Sequence, residues 1–183
     1  MAEWTRIDGT LADGLRMRLY LAEHEGTLWS AALEDDLHRT SEEEFVRRLG
    51  KHAQWVRRES RGISEALGRA AAEVCEYFSG RRLSFDLPIE FRGTPFQLRV
   101  WEELLRIPFG ATCSYSEIAE TIGQPTACRA VGNANGKNRL PLVIPCHRVL
   151  AASGKLGGFT GGIGLKRRLL DHERAVLGKR NAA

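Results

Sequence analysis

Polar and apolar positions alternate with period two from Leu15 to Leu21. Leu15, Met17, Leu19 and Leu21 are separated by Arg16, Arg18 and Tyr20, which predicts a strand with one buried face. Leu28 to Leu33 repeats the pattern, with Trp29, Ala31 and Leu33 on one side, and the turn residues Glu23 to Gly26 join the two into a hairpin. The period then lengthens. Ser41 and Glu44 form a capping box, and Phe45, Leu49, His52 and Val56 continue from it as a helical stripe. A second helix is predicted from Ile63 to Phe78 on the stripe Ile63, Leu67, Ala70, Val74 and Tyr77, with Cys75 beside it as inert packing and Ser79-Gly80 as the stop. Leu83, Phe85 and Leu87 alternate again, so Leu83 to Ile89 is expected to be a strand. Strands and helices in this mixture make a small α/β unit, and it contains no nucleotide loop, carboxylate pair or metal cluster.

A boundary near Ile89 to Gly93 divides the chain into residues 1–90, a scaffold, and residues 91–183. Thr94-Pro95-Phe96-Gln97 reads as a compact helix start, with Thr as N-cap, Pro in the first turn and Gln three residues after the cap. Phe96, Val100 and Leu104 form the buried face, and Ile107 to Gly110 ends the helix. Ser114 with Glu117 opens a further helix carrying Tyr115, Ile118, Ala119 and Ile122, which Gly123-Gln124-Pro125 breaks. A second short helix is predicted from Thr126 to Asn135, with Gly136 as C-cap. The pair reads as helix-turn-helix. The second member carries Arg129 among small residues, Ala127, Cys128, Ala130, Gly132 and Ala134, a composition that suits either close approach to a groove or close packing on the core. Leu140 to Ile144 is expected to be a short apolar strand, ended by Pro145. A glycine-dense loop, Gly154 to Gly164, holds Phe159 and Thr160 and reads as a wall for a flat ligand or as a connector. The last helix, from about Leu165, buries Leu169, His172 and Val176. Glu173 lies at the edge of that face, and Lys166, Arg167 and Arg168 are expected to be solvated or phosphate-facing. Lys179 to Ala183 reads as a frayed tail.

Composition narrows the class. The chain has 183 residues, 27% charged and 43% hydrophobic, an ordinary globular balance. No stretch is long and apolar enough for a membrane, and no signal segment opens the chain. Four cysteines without CxxC spacing argue against a zinc site or a disulfide framework and for a reduced cytoplasmic protein. The net charge of +4 is uneven: residues up to Glu90 carry 13 basic and 17 acidic side chains, and those from Phe91 carry 14 and 6. The second half is therefore the part suited to a polyanion such as nucleic acid. Chemistry concentrates at Cys146-His147-Arg148. A free thiol has a pKa of about 8.5, and a neighbouring His in a basic setting would raise its thiolate fraction, as a nucleophile requires. The alternative is a buried structural cysteine. Glu173 suits a carboxylate orienting His147, or a surface acid beside Arg174.

These patterns coincide in one family. The second half resembles the methylated-DNA–protein-cysteine methyltransferases, the O6-alkylguanine-DNA alkyltransferases. The likeness runs from Phe96-Gln97 with Val100-Trp101, through Ile107-Pro108-x-Gly110, Ser114-Tyr115, Ile118-Ala119 and Arg129-Ala130-Val131-Gly132. It continues through Asn138 and Ile144-Pro145-Cys146-His147-Arg148-Val149 to Ser153-Gly154, Gly161-Gly162, Lys166 and Leu169-Leu170 before His172-Glu173. About half the chain is covered, and the first half resembles the family's variable N-terminal domain more loosely.

The resemblance implies a ribonuclease-H-like α/β domain followed by a mostly α domain with a winged-helix-like helix-turn-helix. It implies direct-reversal DNA repair, an irreversible single-turnover transfer of a methyl or larger alkyl group from O6-alkylguanine, and from O4-methylthymine, to Cys146. It implies a transfer that needs no cofactor and no metal. His147 would take the thiol proton through a water, with Glu173 orienting it. Asn138 would brace the turn before the cysteine. Tyr115 would aid base flipping and protonate guanine N3. Arg129 would fill the space left by the flipped base, and Ser114, Phe96, Ala127, Ala130 and Tyr115 would face double-stranded DNA in the minor groove. Carbonyls of Cys146 and Val149 would meet the guanine edge, with Phe159, Thr160 and Gly161 as the facing wall. The family further implies a cytoplasmic, DNA-associated monomer that can assemble cooperatively on DNA, without a membrane partner. Phe159 stands where several relatives carry tyrosine, the zinc-binding residues of some N-terminal domains are not evident, and the length leaves no room for a separate metal-binding sensor module. A cysteine hydrolase using Cys146 and His147 would leave the helix-turn-helix unexplained, and a non-catalytic sensor of alkylated bases would not need the thiol.

Overall fold

A computed structural model of the chain describes residues 2–34, 42–50, 53–59 and 62–182. The expected capping by Ser41 and the stripe position of His52 lie outside them. The chain divides into two compact units, Met1–Glu90 and Phe91–Ala183.

In the first unit, β1 (Ala2–Thr10), β2 (Arg16–His24) and β3 (Thr27–Glu34) form an antiparallel meander, and β4 (Trp55–Arg57) pairs in parallel with β1, giving the order β3-β2-β1-β4. The β2–β3 hairpin is the one that the alternation predicts, but β2 does not bury one face alone: Tyr20 and Ala22 are buried in the core as Leu19 and Leu21 are. β1 carries no clean period-two signal because Glu3 and Thr5 are buried beside Trp4. Glu3 accepts from Arg58 Nε and from the Ser64 N–H, each at 3.0 Å, and Thr5 Oγ1 donates to the Arg58 carbonyl at 2.8 Å. These bonds make the burial tolerable. Trp4, Tyr20 and Phe45 fill one side of the sheet, with Tyr20 stacked on Phe45 at 5.4 Å.

Helix α1 (Glu42–Leu49) stops at Gly50, which takes a left-handed φ of 73°. The predicted stripe therefore does not reach Val56, which lies in β4 and is exposed. Helix α2 (Glu65–Phe78) starts at its N-cap Ser64, whose side chain accepts from the Leu67 N–H, and buries Leu67, Ala70, Val74 and Tyr77 completely. Cys75 is exposed rather than packed. Gly9 in β1 lets the Phe78 ring lie directly against the strand, where a Cβ would collide with it. The alternation from Leu83 to Leu87 is real, half-buried against exposed, yet the segment is not a strand. Side chains take its backbone groups instead: Glu73 accepts from the Asp86 N–H at 2.9 Å, and Arg69 donates to the Asp86 carbonyl. Pro88 has no N–H to offer, and among the described residues the segment makes a single bridge, between Leu28 and Ile89.

The second unit contains α3 (Pro95–Leu105), β5 (Cys113–Ser114), α4 (Tyr115–Thr121), α5 (Cys128–Gly136), β6 (Val149–Leu150) and α6 (Gly162–Asn181). Both predicted capping boxes form, Thr94 with Gln97 before α3 and Ser114 with Glu117 before α4. Val100, Trp101 and Leu104 are buried, Phe96 half-buried, and Trp101 Nε1 donates to the Ala134 carbonyl at 3.0 Å, which ties α3 to α5. α5 begins at Cys128 rather than Thr126, and Gly136 is its last residue rather than a left-handed cap. The parallel pairing of β5 with β6, Cys113 opposite Val149, brings the start of α4 beside the Cys146 segment. α6 buries Leu165, Leu169, His172 and Val176 as its stripe predicts. Among the described residues no helix is long and apolar enough to cross a membrane.

Candidate active site

The segment from Leu140 to Ile144 is a buried turn rather than the expected strand. The Ile144 N–H donates to the Leu140 carbonyl at 2.8 Å, and Leu142 sits at a φ of 80°. That conformation costs a branched residue about 1–2 kcal/mol. Burial of Leu140, Leu142, Val143 and Ile144 offsets it. Asn138 supplies the turn's hydrogen bonds: Oδ1 accepts from the Leu140 N–H at 2.9 Å, and Nδ2 donates to the Ile144 carbonyl at 2.9 Å. The same Nδ2 reaches Cys146 Sγ at 3.1 Å. Cys146 opens a 3-10 turn, Cys146–Arg148, and is 4% exposed. Burial pushes its thiol up to about 11, against the expectation of an activated thiol, while the Asn138 donor and the Lys166 ammonium pull the other way.

Behind the sulfur lies a wired ionic cluster. Glu173 is fully buried, not at an edge, and its partner is Arg148, whereas Arg174 pairs with Asp171. Glu173 Oε1 accepts from His147 Nε2 and Arg148 Nη2, both at 2.9 Å, and Oε2 accepts from the Gly110 N–H at 2.8 Å and Arg148 Nε at 3.1 Å. Burial alone would raise this carboxyl, but the donors of His147 and Arg148 outweigh it and hold the group at about 2. An ionised carboxylate only accepts, so His147 carries its proton on Nε2. Its Nδ1 is then a bare acceptor, buried and without a hydrogen-bond partner among the described residues. Burial lowers the His147 pKa more than Glu173 restores it, which keeps the imidazole neutral. Arg148 also donates to the Ile107 carbonyl at 2.7 Å.

A cavity of about 670 Å³ opens in front of Cys146. Tyr115, Arg129, Phe159 and Thr160 line it, as do Gly132 and Asn135 of α5. The volume is that of a small-molecule pocket. The glycine-dense loop is therefore a wall, and Gly157 permits it: a Cβ there would come within 2.5 Å of the Tyr115 hydroxyl. Burial raises the Tyr115 pKa, and Cys146 adds to this, so the phenol keeps its proton.

Lys166 is the largest departure from the sequence reading, since it is fully buried rather than solvated. Its Nζ donates to the Val149 carbonyl at 2.5 Å, reaches the Gly157 carbonyl at 3.5 Å, and lies 5.8 Å from the Tyr115 ring centre. Burial lowers its pKa and Cys146 raises it. A seven-residue step from Lys166 to Glu173 puts both on one face of α6, a signal available in the sequence. Reasoning from the sequence left Arg148 and Asn135 without a role and placed Lys166 at the surface.

The predicted residues thus fall into three places. Cys146, Tyr115, Arg129, Phe159 and Thr160 meet at the cavity, while Asn138, His147 and Glu173 stand behind the sulfur. Ser114, Ala127, Ala130 and Phe96 are not part of the cavity lining; Ala130 is exposed, and Ser114, Ala127 and Phe96 are half-buried. Val149 and Gly161, expected in the pocket, are outside the lining as well: Val149 is buried with its carbonyl on Lys166, and Gly161 packs against Leu165 and Phe159.

The model for the 6-O-methylguanine DNA methyltransferase DNA-binding domain matches residues 95–175. A methylated-DNA–protein-cysteine methyltransferase of Mycobacterium tuberculosis is 52% identical over 110 residues, 60% of this chain and 67% of that protein. The inducible one of Bacillus subtilis is 43% identical over 126 residues, 66% of this chain and 70% of that protein. The crystal structure of the Mycobacterium tuberculosis O6-methylguanine methyltransferase superposes with a TM-score of 0.75 at 39% identity, covering 96% of this chain and 94% of that one.

Proposed function

The chain belongs to the methylated-DNA–protein-cysteine methyltransferase family, and from that premise we propose how its residues repair alkylated DNA. The carrying observation is Cys146 at the foot of a cavity roomy enough for a purine, backed by a neutral His147 whose one free nitrogen can only accept. Guanine O6 lies on the major-groove edge of a stacked pair, so the alkylated base must leave the helix, at a cost of a few kcal/mol. The helix-turn-helix of α4 and α5 enters the minor groove. Small residues at Ala127 and Ala130 allow close approach, Ser114 and Phe96 flank the duplex, and the exposed Arg129 fills the gap in the stack.

The thiol proton of Cys146 passes through a bridging water to His147 Nδ1. Sulfur then attacks the alkyl carbon, the S–C bond forming as the C–O6 bond breaks. The electron pair goes to guanine, which takes a proton at N3 from the Tyr115 hydroxyl. Carbonyls of Cys146 and Val149 receive the base's amino group, Val149 using the lone pair that Lys166 leaves open, and Phe159, Thr160 and Gly161 close the opposite wall. Phe159 offers no hydroxyl there. Glu173 and Arg148 hold the imidazole, and Asn138 holds the sulfur. The product is a thioether, a poor leaving group, so each molecule acts once and needs no cofactor. O4-methylthymine, with the same ether linkage, is a second substrate.

The order β3-β2-β1-β4, with α1 between β3 and β4, supports a ribonuclease-H-like scaffold for residues 1–90. The β5–β6 pair beside α4 supports a winged-helix-like DNA-binding unit for residues 91–183. The protein works as a cytoplasmic monomer on double-stranded DNA, where several copies can line up. The test is incubation with duplex DNA carrying one O6-methylguanine, followed by peptide mass mapping. One methyl group on Cys146 supports the reading, and an unmodified Cys146 beside repaired DNA contradicts it.

A further inference from the structure

Asn135 is a buried carboxamide without an occupation. It sits on the last turn of α5, is 6% exposed, and lines the cavity in front of Cys146. Neither Nδ2 nor Oδ1 has a hydrogen-bond partner among the described residues. Its neighbours are engaged. Asn138 uses both ends of its amide on the turn and the sulfur, the Ser116 hydroxyl is bonded to that of Ser114 at 2.8 Å, and the Cys128 thiol faces the Pro125 carbonyl. A buried donor and a buried acceptor left unmade are costly, and leucine, with the same branched skeleton, or methionine, with the cavity beside it to take the extra bulk, would not carry that cost. A carboxamide at this position makes physical sense if the cavity's occupant completes it.

We infer that Asn135 is a specificity-determining residue that hydrogen-bonds the extruded base while it lies against Cys146. The inference rests on the proposed alkylguanine site. A purine suits the group, since guanine presents ring-nitrogen and oxygen acceptors together with an amino donor, and a carboxamide offers one of each. With Tyr115 giving a single donor and Phe159 none, Asn135 supplies polar recognition from the α5 side of the slot. It separates purine-shaped occupants by their hydrogen-bonding edges, where an apolar wall would separate them only by size.

The experiment compares the wild type with Asn135→Leu, Asn135→Met and Asn135→Gln. It reads the melting temperature, binding to an undamaged duplex, and single-turnover transfer from a duplex with one O6-methylguanine at a range of DNA concentrations. The Leu and Met variants should melt at or above the wild-type temperature and bind undamaged DNA equally. Their transfer at low DNA concentration should fall about twofold to tenfold, the value of one hydrogen bond, with partial recovery in Asn135→Gln. Transfer equal to wild type in both apolar variants overturns the inference, as does a loss that tracks a lowered melting temperature, which marks Asn135 as structural. If the wild type itself places no methyl group on Cys146, the proposed function falls and this inference with it; if only the variants fail to differ, the function stands and Asn135 has no part in it.

Discussion

Replacing Glu173 by glutamine keeps the side chain's shape and removes one charge and one acceptor. Donors from His147, Arg148 and Gly110 converge on its two oxygens, so the amide NH2 of the variant faces donors whichever way it turns. Arg148, itself 6% exposed, loses its carboxylate. Removing one partner of a buried pair costs about 3–5 kcal/mol. The carboxyl's displacement from 4.5 to about 2 gives a similar figure, about 3 kcal/mol at roughly 1.4 kcal/mol per pKa unit, and full burial leaves little solvent screening to discount. At about 2–4 °C per kcal/mol for a chain of this size, Glu173→Gln should melt roughly 10 °C below the wild type. The folded pKa lies below the unfolded one, so the stabilisation is complete above pH 4.5 and is lost as pH falls toward 2. The gap between the two proteins should therefore close across that window. Transfer should fall about 10²- to 10⁴-fold, because an amide that donates to His147 Nε2 moves the imidazole proton to Nδ1 and removes the base. Melting curves from neutral to acid pH and single-turnover transfer at pH 7 check both effects. A variant that melts with the wild type and transfers at its rate, or a gap that does not narrow with acid, would refute the reasoning.

Lys166→Met frees the Val149 carbonyl and removes the cation that favours the Cys146 thiolate, so labelling of Cys146 by iodoacetamide should require higher pH than in the wild type; an unshifted profile counts against that role. Gly157→Ala drives a Cβ into Tyr115 and should slow transfer at least tenfold while leaving binding to undamaged duplex intact; wild-type transfer would show that the loop yields freely. Because burial lowers the His147 pKa below 6.5, transfer should keep its rate at pH 6.5, where an ordinary imidazole is half protonated; a rate halved there would place a normal histidine at the site. The same depressed pKa means that the neutral imidazole's contribution to stability declines as pH falls below 6.5, and melting curves of His147→Gln should show less of that decline.

Local chemistry was readable wherever one short rule decides the outcome. The Thr94/Gln97 and Ser114/Glu117 boxes and the Leu15–Leu33 hairpin need only neighbours in the chain. Tertiary partners hid the rest. β1 is obscured because Arg58 and Ser64 make it possible to bury Glu3, and Leu83–Leu87 alternates without a ladder because Glu73 and Arg69 take its backbone groups. The apolar run before Pro145 suits a strand equally well until the Asn138 side chain is seen to fill a turn. At the site, the thiol and the histidine were legible from type and order, and the tyrosine from the family resemblance. The seven-residue spacing puts Lys166 and Glu173 on one face of α6, but that this face is the buried one, and that Glu173 meets four donors there, depends on how α6 lies against the Cys146 segment.

One nucleophile, used once, is the core of the account, and counting alkyl groups tests it. Excess duplex with O6-methylguanine is incubated with the protein to completion, repaired base is quantified, and the protein is mapped by mass spectrometry. The account predicts one repaired guanine per chain, one methyl group on Cys146, and none in Cys146→Ser. More than one repair per chain, a methyl group on another residue, or repair by Cys146→Ser would contradict it.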